Sequence, residues 1–329
     1  MPLVLGGSSA VAGAYSIDNS CMFDKGDTAY LSITPAGDGN KKTFTISMWV
    51  KRAVLGYQNT TVNLMMGADS GSGELSFYED DKMKFYIDGT YGQTTNALFR
   101  DPTAWYHIVQ AVDTSQSVAT DRIKTYVNGT QVTDFSSTND PPLNQDSKFC
   151  SSSYAQTVSG ASDSFGGYMA DVCFIDGTQY DADDFGEFDA DSPNTWIPKD
   201  VSGLTYGTNG FLLDFADSAD FGNDVSGNGN DLTNTDLTAT DQMTDTPTNN
   251  YPTLNPLYKN QFTYSEGNLN CTITASAFEA GVATFGATKG KWYCEFKCTA
   301  TASSGLTRNS LGIVAALDCQ NEHAMGSGE

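Results

Sequence analysis

The stretch Thr43–Arg52 reads Thr-Phe-Thr-Ile-Ser-Met-Trp-Val-Lys-Arg and sets the interpretation of the whole chain. Apolar residues occupy one side of a two-residue repeat, which is typical of a β-strand with one buried face. These apolar residues are Phe44, Ile46, Met48 and Val50. Trp49 is the only large group on the other side. We therefore expect that side also to be partly covered, by a second layer, a loop or a ligand.

Short stretches of the same style follow one another along the first half of the chain, bounded by Gly, Asn and Asp. The predicted strands are 21–23, 30–33, 62–66, 74–78, 82–87, 104–113, 122–127, 131–132 and 167–175. Asn128-Gly129 predicts a tight hairpin, because both turn residues must adopt positive φ. Residues 135–164 are polar and are interpreted as a loop, and residues 180–191 as containing one short helical turn. The pattern predicts an all-β antiparallel sandwich or jelly roll.

The chain changes character after residue 200. Residues 201–256 are rich in Asn, Asp, Thr and Gly, and their apolar residues thin out after Phe221, so we interpret them as an acidic connector. Residues 257–329 hold two further predicted strands, at 290–298 and 311–317. So few strands cannot close a core, and we expect an incomplete second sandwich. Residues 1–15 are small and apolar and are interpreted either as a frayed tail or as an arm that docks on a neighbouring subunit.

The charge of the chain excludes some kinds of binding partner, and its cysteine content indicates the kind of cell compartment in which it folds. The formal net charge of −23 would repel nucleic acid and acidic membrane surfaces, and no stretch is long and apolar enough to span a bilayer. The seven cysteines include no Cys-x-x-Cys pair, and Cys294 and Cys298 are too far apart on one strand to bridge. Ala10-Val11-Ala12 resembles a signal-peptidase site, but no Lys or Arg lies before it and the apolar run Leu3–Leu5 is too short. No export signal is therefore predicted. We expect reduced, mostly buried thiols and assembly in a reducing cytoplasm.

Three stretches together resemble the laminin-G-like, concanavalin A-like jelly-roll family across residues 16–200. They are 44–50, then 105–113 with 126–129, and 165–177 (Phe-Gly-Gly-Tyr-Met-Ala-Asp-Val-Cys-Phe-Ile-Asp-Gly). The region that includes 290–296 and 311–314 is similar to the start of a SPRY-type sandwich. The order of these units, the connector and the Pro-Thr-Leu-Asn-Pro run at 252–256 resembles structural proteins of marine tailed bacteriophages.

The resemblance implies a virion component, such as a fibre, tail or capsid-surface protein, assembled in the host cytoplasm. Its work would be contact with other virion proteins through residues 1–15, homo-oligomerisation, and display of a surface that binds host glycans. Aromatic residues available for a glycan platform are Trp49, Tyr57, Tyr78, Tyr86, Tyr91 and Trp105. Aromatics on strands more often pack in the core, so their direction stays open.

Two rival functions stay open at this stage. The fold class implied by the resemblance hosts laminarinases, which need two carboxylates about 5 Å apart on a Glu-x-Asp-x-x-Glu strand. The best match begins at Glu187 and has Ser192 at the third carboxylate position, so a solvated acidic loop is favoured. His107 alternates with core positions and is interpreted as a packed residue, and the sequence alone leaves a Ser-His-Asp triad open. A secreted lectin is the other rival.

Calcium is the metal hypothesis. The glycine-rich loop 224–231 places Asp224, Asn228, Asn230 and Asp231 close together in sequence, and hard cations prefer such oxygen ligands. The alternative is that Asp and Asn shape the turn, since they tolerate left-handed φ and bond their own backbone. Both interpretations stay open, and the second is favoured.

Overall fold

A computed structural model describes residues 15–56, 62–67, 72–258, 262–273, 281–286, 291 and 293–297. The described part is all-β, and its strand pairs are antiparallel. The strands β1–β10 are Ser20–Phe23, Tyr30–Ile33, Thr43–Arg52, Val62–Met66, Glu74–Phe77, Lys82–Tyr86, Gly92–Leu98, Trp105–Asp113, Ile123–Val127 and Thr130–Gln131. The strands β11–β20 are Phe135–Asn139, Gln156–Val158, Gly167–Asp176, Gly186–Phe188, Trp196–Pro198, Phe211–Leu213, Thr233–Thr235, Gln242–Met243, Phe262–Ser265 and Asn270–Ile273. Three 3₁₀ turns lie at Ala119–Asp121, Ala182–Asp184 and Ala239–Asp241.

Two large sheets form a sandwich. The first has the order β10-β9-β8-β3-β13-β1-β18, with β16 also pairing with β13. The second has the order β11-β7-β6-β5-β4-β12-β2-β17. Neighbours in these orders are often distant in sequence, which is the jelly-roll type of connection. The predicted antiparallel sandwich is confirmed.

Strand β3 lies at the centre of the first sheet, between β8 and β13. Its four alternating apolar side chains point between the sheets and are fully buried with Phe174 and Phe149. Trp49 points to the other side, where a second layer covers the first sheet, as the sequence led us to expect. That layer, built from chain between 180 and 206, contributes Phe185, Trp196, Val201 and Tyr206.

Strand β13 carries the main irregularity of the first sheet. Its pairing with β3 shifts between Ala170 and Cys173, and Asp171 adopts φ +42° within this bulge. Left-handed backbone is uncommon for residues other than glycine, although Asp and Asn tolerate it best. The carboxylate of Asp171 is buried and accepts a hydrogen bond from Tyr15 Oη at 3.2 Å. Burial is the main cause that raises the Asp171 pKa, to about 7.

The predicted Asn128-Gly129 hairpin is present, joining β9 to β10. The two residues have φ +47° and +76°, the left-handed geometry that a tight turn of this kind requires. A Cβ on Gly129 would stand 2.2 Å from a ring carbon of Trp196, so the second layer also requires glycine here. The stretch predicted as loop from residue 135 to 164 differs from expectation, since it contains β11 and β12. Both strands are too short and polar to show an apolar repeat.

Residues 201–256, predicted as a connector, are built into the sandwich. Strand β16 pairs with β13, β17 with β2 and β18 with β1. Apolar residues of this segment belong to the same core as those of β3: Phe211, Leu213, Phe215, Phe221, Leu232 and Leu237. The structure therefore differs from the predicted connector. Phe211 and Leu213 belong to a short apolar run, but Phe221, Leu232 and Leu237 each stand among turn-forming polar residues, which hides them in a composition profile.

The start of the predicted second sandwich lies against the first domain. Strands β19 and β20 form a hairpin whose turn accepts a hydrogen bond from Tyr168 Oη at Gly267 O, 2.8 Å. Asn268 Nδ2 in the same turn donates to Ala53 O at 2.9 Å. Of the predicted strand at 290–298, the described residues 293–297 are not in a strand. The predicted strand 311–317 and residues 1–14 of the predicted arm 1–15 lie outside the described residues, whereas Tyr15 packs against the cluster that contains Trp49.

Cysteines in the described part of the chain are unbridged. Cys21, Cys150 and Cys173 are buried, and burial raises the pKa of each thiol well above its usual value. Cys271 and Cys294 are exposed. Within the described ranges, no helix has the length and hydrophobicity needed to cross a lipid bilayer.

Candidate functional site

The second sheet presents a polar surface on the side that faces away from the core. Its strands alternate: in β5, Leu75 and Phe77 are core residues, and in β6, Met83 and Phe85 are. The residues between them must point outward. We call this surface the outer polar face and define it by Asn63, Glu74, Ser76, Tyr78, Lys84, Tyr86 and Thr157.

Strand register sets these side chains in two adjacent rows. Asn63 is opposite Ser76, which is opposite Lys84 on the next strand. In the neighbouring row, Met66 of β4 lies opposite both Thr157 and Glu74, and Glu74 lies opposite Tyr86. Directly opposed residues in antiparallel sheets have Cβ atoms about 5 Å apart. The face is therefore one continuous surface across four strands.

Lys84 is the centre of the outer polar face. Its Nζ lies 2.7 Å from Glu74 Oε1 and above two tyrosine rings, 4.7 Å from the centroid of Tyr78 and 4.6 Å from that of Tyr86. Burial disfavours the ammonium, but the hydrogen bond and charge of Glu74 outweigh it, and the Lys84 pKa is raised. The lysine is therefore charged at neutral pH, and the carboxylate beside it balances that charge. Both tyrosine rings are held in place by the same cation.

Three polar atoms near this pair are buried without a hydrogen-bond partner among the described residues: Asn63 Oδ1, Ser76 Oγ and Thr157 Oγ1. Asn63 is 4% exposed and Ser76 is fully buried. Buried polar groups are nearly always hydrogen-bonded, and an unsatisfied one costs free energy. These atoms have almost no accessible surface, so a polyhydroxylated ligand could satisfy them only if neighbouring side chains moved aside.

Of the aromatic residues that the sequence offered for a platform, Tyr78 and Tyr86 lie on this face, and Tyr78 is 38% exposed. Trp49 and Trp105 are buried in the second layer, and Tyr91 packs against the core. Tyr57 lies outside the described residues. Sequence reasoning missed Glu74, Lys84 and Ser76. The alternation within 74–77 and 82–86 was the available signal, since it sets these side chains opposite the core positions.

His107 is buried on strand β8 of the first sheet, and its hydrogen bonds leave it unable to act as a general base toward Ser47. Trp196 Nε1 donates to its Nδ1 at 3.0 Å, so Nε2 carries the proton and donates to Ser47 Oγ at 2.9 Å. A histidine can activate a serine only by accepting its proton. Ser47 therefore has no general base at this histidine, and burial lowers the His107 pKa to about 3. The packed role predicted for His107 is confirmed.

The acidic stretch 187–192 lies in the second layer, where β14 pairs with β15. Glu187 is exposed, and Lys199 Nζ lies 3.6 Å from its Oε2. The Asp189 carboxylate accepts the backbone N–H of Asp191 at 2.9 Å and so closes its own turn. The stretch is acidic and solvated, as the sequence favours, but Glu187 and Phe188 lie in the short strand β14 and not in a loop.

The loop 224–231 uses its polar side chains within the protein. Asp224 accepts four hydrogen bonds at 2.9 Å, from the backbone N–H groups of Leu212, Ser226 and Asn230 and from Ser226 Oγ. Asp231 Oδ1 accepts the Asp224 N–H at 3.0 Å.

The two asparagines of this loop turn their amide N–H groups inward. Asn228 donates to Gly207 O and Gly210 O, and Asn230 to Thr208 O and Gly210 O. The arrangement fits a calcium ion poorly, because the Asp224 oxygens already accept protein donors, and it favours the turn interpretation. In the described ranges no group of three or more His, Cys, Asp or Glu could hold a metal ion.

The comparisons with known proteins agree with this architecture. Residues 24–183 match the family model described as "Concanavalin A-like lectin/glucanases superfamily" (Laminin_G_3). These residues therefore form a concanavalin A-like domain, as their resemblance suggested. No curated protein matches the chain.

Three solved structures illustrate the likeness. A heptameric SAP-like pentraxin from Limulus polyphemus is 11% identical, with 49% of this chain and 78% of that chain covered and a TM-score of 0.35. Trypanosoma rangeli sialidase in complex with sialic acid is 15% identical, with 44% and 22% covered and a TM-score of 0.31. Mouse laminin alpha1 LG4-5 is 16% identical, with 47% and 40% covered and a TM-score of 0.28. Identities and TM-scores this low carry no argument about function.

Proposed function

We propose that this protein is a non-enzymatic surface component of a bacteriophage virion, and that its concanavalin A-like domain binds glycans through the outer polar face. The observation that carries the binding proposal is the cluster of Lys84, Glu74 and two tyrosine rings, of which Tyr78 is 38% exposed. Sugar rings offer apolar C–H faces that stack on aromatics and hydroxyls that hydrogen-bond. The face supplies a partner for both.

The charges favour a neutral glycan. The chain carries a formal net charge of −23, which repels anionic sugars at a distance. Lys84 is the cation nearest the tyrosine rings, and Glu74 balances it at 2.7 Å. A ligand made of hydroxyl groups can bond both members of such an ion pair without leaving either charge unbalanced.

The virion assignment is supported by the order of units in the sequence, which resembles marine phage structural proteins. In this proposal residues 1–15 attach the protein to other virion proteins, the particle carries a homo-oligomer, and assembly takes place in the host cytoplasm. Mass spectrometry of purified particles from an infected culture tests it. We expect the protein in the particles at stoichiometric abundance; its presence only in the host or in the medium would contradict the assignment.

Binding is tested on a glycan array with the purified chain, followed by calorimetry. We expect Tyr78→Ala and Tyr86→Ala each to lower affinity roughly tenfold, about 1.4 kcal/mol. Tyr251→Ala is the matched control, because Tyr251 is 46% exposed on the side of the first sheet, beside Lys51. Equal affinity of all three variants would contradict the assigned face. Release of new reducing ends from a bound polysaccharide would contradict the non-enzymatic part of the proposal.

A further inference from the structure

A fully buried lysine on the first sheet takes no part in the proposed glycan site. Lys51 of β3 is 1% exposed, and its side chain points to the same side of the first sheet as that of Trp49. Its Nζ has three oxygen partners: Asp245 Oδ2 at 2.7 Å, Asn250 Oδ1 at 2.8 Å and Tyr251 O at 2.7 Å. Lysine is rarely buried to this degree. A primary amine is thus held in contact with a side-chain amide and a carboxylate, away from water.

The carboxylate is itself held in place. Trp105 Nε1 donates to Asp245 Oδ1 at 3.1 Å, and the Tyr251 backbone N–H donates to the same oxygen at 3.3 Å. The amide of Asn250 is fixed from its other end, where Nδ2 donates to Thr103 O at 2.7 Å. Amine, amide and carboxylate therefore face one another with defined orientations.

We propose that Lys51 and Asn250 form an intramolecular amide cross-link, with Asp245 as the group that transfers the proton. Asp245 removes a proton from the Lys51 ammonium, and the neutral amine attacks Cγ of Asn250. The new Nζ–Cγ bond forms as the Cγ–Nδ2 bond breaks. Asp245 then passes that proton to the leaving nitrogen, and Nζ gives up a second proton to the same nitrogen as it becomes the amide N–H, so the leaving nitrogen departs as ammonium. Atoms and charge balance without an oxidant or a co-reactant.

The surroundings favour the neutral amine that this attack requires. Burial is the main cause that lowers the Lys51 pKa, and it outweighs the opposing effect of Asp245. Asn250 is the electrophile rather than Asp245, because a carboxylate that accepts two N–H donors is a poor acceptor of a nucleophile. Preorganised contact replaces a chance encounter between the two groups.

The cross-link would connect the central strand of the first sheet to the end of the segment that carries β18. The closed loop would run from residue 51 to residue 250 and hold strands β4 to β18. A covalent link across a long loop limits the unfolded chain, in the way that a disulfide does. A protein on the outside of a particle would gain resistance to unfolding without needing an oxidising compartment.

Intact-mass measurement of the purified full-length chain tests the proposal. We expect the mass to be lower than the sequence mass by one molecule of ammonia, and proteolysis to release a branched peptide that joins Lys51 to Asn250. Asn250→Asp keeps the shape of the side chain and should instead lose one molecule of water. Asn249→Asp, a neighbouring exposed asparagine without contact to Lys51, should still show the loss of ammonia.

Two outcomes would overturn the proposal. One is a folded wild-type chain whose mass stays equal to the sequence mass after prolonged incubation. The other is loss of ammonia that persists in Lys51→Met with no branched peptide in the wild type, because a cyclised asparagine would lose ammonia without the lysine. Peptide mapping of the wild type does not depend on any variant. It therefore tests the cross-link even if Lys51→Met does not fold.

Discussion

Trp196 donates its indole N–H to Nδ1 of His107, and this contact fixes the histidine as a neutral donor toward Ser47. The imidazole also packs against Trp49, with ring centroids 4.7 Å apart and planes tilted by 31°. Both ring nitrogens are therefore used, and the ring is buried. The arrangement serves packing of the second layer, and it has a measurable consequence for titration.

His107 should remain uncharged in the folded protein at pH values where an ordinary histidine is protonated. Burial lowers its pKa to about 3, whereas an unfolded histidine titrates near 6.5. The unfolded state thus binds one more proton between these values, and the His107 contribution to stability is lost as pH falls, by up to about 1.4 kcal/mol per pH unit. NMR of the imidazole between pH 8 and 4.5, in which we expect no titration, checks the first step.

The stability consequence is measured as the difference between the wild type and His107→Gln in denaturant unfolding at several pH values. The advantage of the wild type should shrink as the solution becomes more acidic below about pH 6.5. An imidazole signal that titrates like free histidine would contradict the buried, neutral assignment.

The contribution of Asp171 to stability should change with pH in the direction opposite to that of His107. Its folded pKa is about 7 and its unfolded pKa is about 4, so the folded state holds a proton that the unfolded state has lost. Its contribution is fully present below about pH 4 and is lost as pH rises through about 7. Asn also tolerates the φ of +42° found here, so Asp171→Asn removes the charge and keeps the bulge.

We expect Asp171→Asn to match the wild type in free energy of unfolding at pH 4 and to exceed it increasingly up to pH 8. The slopes from Asp171 and His107 oppose each other between about pH 4 and 6.5. The total stability profile is therefore uninformative there, and the variants are needed. A pH-independent difference between variant and wild type would show that Asp171 titrates normally.

The segment 201–256 should behave as part of the sandwich core. Phe211 and Phe221 are buried with the main core, so Phe211→Ala and Phe221→Ala should each cost about 3–5 kcal/mol in urea unfolding. Val225 lies in the same segment but is 39% exposed, and Val225→Ala is the control, with an expected cost below about 1 kcal/mol. A small cost for both phenylalanines would support a separate connector instead.

The loop at Asp224 should be insensitive to calcium. Asp224→Ala removes four hydrogen bonds and should destabilise the protein by about 2–4 kcal/mol, because several backbone N–H groups lose their acceptor. Addition of calcium or of a chelator should leave the Tm of the wild type unchanged. Asp191→Ala, at an exposed acidic position, is the control for loss of charge alone. A Tm that rises with calcium and loses that rise in Asp224→Ala would restore the metal-site hypothesis.

The parts of the fold that sequence reasoning predicted are those with a long local pattern. Strands β3, β8 and β13 each alternate or stay apolar over nine or ten residues, and Asn128-Gly129 marks its hairpin. Trp49 also predicted that its side of the sheet is covered, because a large aromatic on a polar side needs cover, although it did not show that a second layer covers it. Strands β16, β17 and β18 have two or three residues each, and their pairing depends on distant partners.

The candidate site was only half predictable for a related reason. Tyr78 and Tyr86 could be named as aromatic, but so could Trp49 and Trp105, and sheet curvature and covering layers decide which are accessible. Lys84 and Glu74 become a pair only through the register of β5 with β6. No local pattern expresses that register, since it depends on how the intervening turn closes.

The pairing order of the sheets also has a consequence for synthesis on the ribosome. Strand β1 pairs with β13 and β18, and strand β2 pairs with β12 and β17. All four partners come much later in the sequence. The first strands to emerge must therefore remain unpaired until residues 156–176 have been translated, and they gain their second neighbours only with residues 233–243. Such long-range closure makes folding slow and exposes early strand edges to neighbouring nascent chains. The acidic character of the chain would then act before the native state exists, by keeping those unfinished chains apart.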